Sequence, residues 1–156
     1  MNMESKDNIE ILNDLVMINN DRIQGYERAL GDLKQVDNPM LKENLNQLFL
    51  SFIDQSRKIR NELGNEVQTL GGKMEEDTTT SGKIYRGWMA VKAAFTGHDA
   101  KSILDSCEFG EDAAQKAYHA ALAEELPAYQ AEMIQYQKNS LKSAHDKVKS
   151  LRDDRE

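Results

Sequence analysis

Glu111 stands among Leu104, Cys107, Ala114, Tyr118 and Leu122, which recur at helical spacing, so its carboxylate points along an apolar stripe. An isolated charge there is costly to bury without a partner. One use of such a carboxylate is in the two-metal site of some helix bundles, which needs one carboxylate from each of two helices and a Glu-x-x-His pair from each of the other two, with oxygens bridging the metals and imidazoles capping them. His145, beside Leu141 and Val148, offers an imidazole, but the position three residues earlier is Lys142, where a glutamate is required. Glu27 lies one position past Tyr26, near the edge of its stripe. The segment FIDQSRKIRNEL carries no histidine and leaves only Asp54 or Glu62 as improvised ligands. The full two-metal set is therefore absent. A depleted site would rest on Glu27, Glu111 and His145 and take iron or another divalent ion.

The leading reading is different: Glu111, Asn19, Gln55 and His145 form a hydrogen-bonded polar layer that fixes helix register, and no cofactor is expected. Gln55, Arg57 or Asn19 would then donate to Glu111. Replacement of Glu111 by Gln should cost only about 1–2 kcal/mol, because an amide keeps the shape and some of the bonding. Cys107 lies on the apolar stripe and reads as a small hydrophobe with a protonated thiol. Met17 and Met133 read as core filling, not haem ligands. His98 falls in a loop and His119 on a polar face. Lys83, Arg86 and Lys92 oppose the apolar side of a short helix, which is better explained by docking on the protein than on a membrane surface. No Ser-His-Asp order, phosphate-binding glycine loop or zinc spacing occurs, so hydrolase and nucleotide chemistry have no support.

These residues need helices to position them, and the punctuation supplies those helices. Asp7 and Glu10 have capping-box spacing ahead of Leu12, Val16, Asn19, Ile23, Tyr26 and Leu30, predicting a helix over 7–33. Asn38 before Pro39 starts a second, over 39–70, through Leu45, Phe52, Ile59, Leu63 and Val67, and Gly71 with Gly72 ends it. The threonine-rich stretch 73–81 shows neither period and predicts an exposed linker. A short helix over 82–96 carries Ile84, Trp88, Val91 and Phe95, and Gly97 stops it. Helices over 99–125 and 127–153 follow, divided at Pro127.

Four long amphipathic helices with short first and last connections make two hairpins, and the middle connection is long. Its nine or so linker residues, at up to roughly 3.3 Å each, together with the short helix can span the bundle, so the third long helix can run parallel to the second. At 156 residues one domain is expected, and 39% hydrophobic with 30% charged residues suits helices with one wet face. A net charge of −7 opposes a phosphate backbone, so no nucleic-acid partner is expected. The single cysteine excludes an intrachain disulfide framework, and no 18-residue apolar run occurs; a cytoplasmic, non-membrane protein is expected.

NDRIQGYERAL, LGG at 70–72, SGKIYRGWMAVKAAFTGHDAKSILDSCEFGEDAAQKAY at 81–118 and AHDKVKSLRD near the end together resemble a bacterial ferritin-like family of unestablished function. The resemblance spans nearly the whole chain. It implies a ferritin-like antiparallel four-helix bundle, all-α, with a short extra helix between helices two and three. For function it implies a non-catalytic bundle in a stress-related or interaction role. The alternatives left open are an iron-dependent oxidase or iron-handling protein, a homodimer by analogy with related bundles, and a protein partner of unknown identity.

Overall fold

The computed structural model describes residues 3–74, 82–91 and 100–154. Helix α1 is Met3–Asp32, followed by a tight 3-10 turn, Leu33–Gln35. Helix α2 is Pro39–Thr69, α3 Lys83–Val91, α4 Ala100–Leu122 and α5 Ala128–Asp153. The start of α1 is four residues upstream of the expected Asp7, because Met3–Lys6 contains nothing that stops a helix and Asp7 continues it. The other sequence-based boundaries that fall among the described residues lie within three residues of those observed. Residues 92–99, with the expected Phe95, Gly97, His98 and Asp99 features, and most of the linker, 75–81, lie outside the described residues.

The punctuation of α2 works as its residue types require. Asn38 Oδ1 accepts from the amides of Met40 and Leu41, both at 3.1 Å, and Pro39 occupies the first turn, where its missing N–H costs nothing. At the far end Gly71 adopts φ 86°, which only glycine takes without penalty. The Gly72 amide then reaches back to the Val67 carbonyl and the Gly71 amide to that of Gln68, a double closure of the last turn.

Side-chain bonds fix the directions of the helices. Asn19 meets Tyr118, whereas Tyr26 meets Glu111, so α4 runs against α1. Arg60 bonds Asn20 and Arg22 bonds Ser56, so α2 also runs against α1. Hence α2 and α4 are parallel, as the length of the middle connection predicts. Gln55 donates to the Ser140 carbonyl and Gln130 to Glu66, which sets α5 antiparallel to α2. This one-crossover arrangement is the ferritin-like bundle, and no strand occurs among the described residues.

Helix α3 belongs to the crossover and packs on α1 and α4. It is why every residue from Ile11 to Asn19 is buried: α1 is covered by α2, α4 and α3 together, and an ordinary amphipathic helix would keep one face wet. The apolar interior falls into two clusters. One gathers Leu12, Leu15, Leu63, Trp88, Tyr118, Ile134 and Leu141. The other gathers Tyr26, Phe49, Phe52, Ile103, Leu104 and Val148. Polar side chains separate them.

Candidate functional site

That dividing layer is built from the middle of all four long helices. Asn19 and Arg22 come from α1, Ser56 from α2, Glu111 and Tyr118 from α4, and Gln137 from α5; all are buried. Glu111 Oε1 accepts from Arg22 Nη2 at 2.5 Å, Arg22 Nε at 3.2 Å and the Tyr26 hydroxyl at 2.6 Å. Arg22 Nη1 donates to Ser56 Oγ at 2.6 Å, and the guanidinium carbon lies 5.8 Å from the centre of the Tyr26 ring. One turn back along α1 and two turns on along α4, Tyr118 donates to Gln137 Oε1 at 3.0 Å and accepts from Asn19 Nδ2 at 3.1 Å. Each hub thus ties three helices.

The electrostatics follow from burial and pairing. Burial opposes the charge on Arg22, yet the adjacent Glu111 carboxylate outweighs it and the guanidinium is held more firmly protonated than usual. Tyr26 is pushed well above the ordinary phenol range, first by burial and then by Glu111. Burial also drives the Cys107 thiol up, with Glu111 adding to it, so this cysteine stays protonated and unreactive as its stripe position predicts.

The two-metal chemistry of ferritin-like bundles asks for several carboxylates and imidazoles at this level. The residues present do not fit it. Among the described residues the buried carboxylates are Asp14 and Glu111. Asp14 is engaged elsewhere, accepting from the backbone amides of Gly82 and Tyr85, and a guanidinium fills the space beside Glu111. A fixed cation in that position repels further cations and takes Glu111 Oε1, so that Oε2 is the one oxygen of this carboxylate left without a partner.

The three residues singled out from sequence do not converge. Glu111 is at the centre, 1% exposed. Glu27 is exposed and faces Arg57 across 3.7 Å. His145 lies at the outer seam of α4 and α5, where Nε2 is 2.8 Å from Asp112 and 3.5 Å from Glu108, and Nδ1 is 3.1 Å from Asp146. It is outside the expected polar layer, as is Gln55, whose amide serves the Ser140 carbonyl; Asn19 is inside it. Arg57 is on the surface and does not reach Glu111. The donor that does, Arg22, was legible in principle, since it falls three residues after Asn19 and four before Tyr26 on the same stripe. Its neighbours Asn20, Asp21 and Glu27 make the segment read as a wet face. His119 is exposed, as expected.

Residues 7–124 match the family model described as "Domain of unknown function (DUF2383)". The chain belongs to this family. No curated protein matches the chain. Among solved structures it is similar to a Mycobacterium smegmatis Dps1 mutant, with a TM-score of 0.83 over 97% of this chain and 99% of that one, at 11% identity. That likeness shows a shared ferritin-like fold and no more, which agrees with the family expected from the sequence. No described helix is long and apolar enough to cross a membrane.

Proposed function

We propose that this DUF2383 chain is a non-catalytic ferritin-like bundle whose centre holds shape and whose outer faces meet other macromolecules, in an interaction role that includes stress conditions. The observation that carries the reading is the buried ion pair between Arg22 and Glu111, which stands where a catalytic pair of metals would need room and carboxylates. Tyr129 and Tyr136, seven residues apart on one face of α5, are 55% and 71% exposed and give that face the aromatic character interfaces favour. A second copy of the chain is the first partner to examine, and light scattering reads it directly. The free, buried Cys107 is in keeping with a cytoplasmic site of action.

The decisive measurement is iron stoichiometry and oxygen-dependent ferrous oxidation on protein purified without chelators. The expected result is no oxidation above the rate in buffer. Two irons per chain, lost together with oxidation in Glu111→Gln, would overturn the reading and restore the iron-handling alternative.

A further inference from the structure

We infer that the seam between α4 and α5 carries a site for one divalent transition-metal ion, of the zinc class, held by Glu108, Asp112 and His145. Glu108 and Asp112 are four residues apart and so share a face of α4, and His145 reaches them from α5. One donor atom from each lies within 4.8 Å of the other two. Ligands about 2.1 Å from a tetrahedral ion stand roughly 3.4 Å apart, so small side-chain adjustments close the set around a cation. Two carboxylates neutralise a divalent charge, and one imidazole with two oxygens suits a borderline metal better than calcium or magnesium.

Two further observations separate this cluster from an ordinary group of surface acids. His145 Nε2 is shielded from solvent and makes no well-formed hydrogen bond, although Asp112 Oδ1 is only 2.8 Å away. Its other nitrogen, Nδ1, sits 3.1 Å from Asp146 Oδ1, the carboxylate–histidine pairing that orients an imidazole with Nε2 free to ligate. In the same way Arg152 Nη1 holds Glu108 Oε2 at 3.1 Å, leaving Oε1 turned to His145. Three protein ligands leave a fourth position for water or a donor from a partner. The site joins α4 to α5 and is independent of the central ion pair, because Glu111 and His145 share no bonding partner in the described contacts.

The test uses the full chain, stripped with a chelator and titrated with zinc chloride by calorimetry, with cobalt chloride as an optical probe. One ion per chain is expected, with the visible bands of four-coordinate cobalt. Asp112→Asn and His145→Gln should each abolish saturable binding, and Asp146→Asn should weaken it by about 10–100-fold, as loss of an outer-sphere carboxylate does. Glu27→Gln should leave it unchanged. Far-ultraviolet dichroism checks that each variant folds, which these exposed or partly exposed positions favour. Absence of saturable zinc binding, or one-to-one binding that survives both Asp112→Asn and His145→Gln, overturns the site.

Discussion

At the scale of single residues, Arg22 changes what Glu111 means. As one member of a neutral polar layer, Glu111 should tolerate conversion to an amide cheaply. With a guanidinium bonded to it inside the bundle, 3% exposed against 1%, the same substitution strands a buried cation. Breaking one side of such a pair costs about 3–5 kcal/mol. Glu111→Gln is therefore expected to lower the unfolding free energy by that amount in urea melts, and a loss under about 1 kcal/mol would show that Arg22 finds solvent or another anion. The Tyr26 hydroxyl adds to the effect, since it too donates to Glu111 Oε1.

At the scale of the element, α3 is held by polar residues of α1 that sequence periodicity alone would place on a wet face. Asp21 Oδ2 accepts from the Tyr85 hydroxyl at 2.8 Å and from Trp88 Nε1 at 2.9 Å, while Ile84 and Trp88 bury their apolar surfaces. Trp88 is 4% exposed, so Trp88→Ala should cost about 3–5 kcal/mol in denaturant melts, and a loss below about 1 kcal/mol would mean a loosely attached crossover. Asp14 completes the attachment by capping the first turn of α3 from outside it, through the Gly82 and Tyr85 amides. Gly82 admits this approach: a Cβ there would fall on Glu10 Oε1 and Asp14 Oδ2. Burial raises the Asp14 carboxyl above its ordinary 3.8, against the pull of those amides. An acid raised in the fold binds its proton more tightly there than in the unfolded chain. Its contribution is whole below 3.8 and is lost as pH rises through the raised value. Between pH 7 and pH 4 the wild type should thus gain stability relative to Asp14→Asn, and thermal melts showing the opposite trend would contradict it.

At the scale of the molecule, the polar layer divides one bundle into two apolar halves and joins α1, α2, α4 and α5 through bonds that have direction. Hydrophobic contacts stabilise many registers about equally, whereas the bonds from Arg22 to Ser56 and to Glu111 Oε1 form in one, even though Glu111 Oε2 is left without a partner. Replacing the ion pair by apolar residues, Arg22→Met with Glu111→Leu, removes two desolvation penalties together. The double variant is expected to be at least as stable as the wild type, by up to about 1–4 kcal/mol, while the single change is costly. Urea melts give the energies, and amide chemical-shift dispersion reports whether a single packing survives. A double variant as unstable as Glu111→Gln would show that the pair supplies stability as well as register.

The sequence by itself determined the long helices, both ends of α2 and the crossover topology, because these depend on local signals: Asn38 before Pro39, Gly71 after α2, a long middle connection and a stripe every three or four residues. It also placed Glu111, Cys107 and Trp88 inside, since each sits in such a stripe. Partnership was decided only by the tertiary structure. A stripe says which way a side chain points on its own helix, not what faces it from another, and helix rotation and height are set by packing of the whole core. Hence Glu111 took Arg22 from α1 instead of Gln55, Arg57 or Asn19. Likewise, His145 turned from the centre to the acids of the outer seam, one helix face away, and Asp14 and Asp21 found their partners across a crossover some 65 residues distant in the chain.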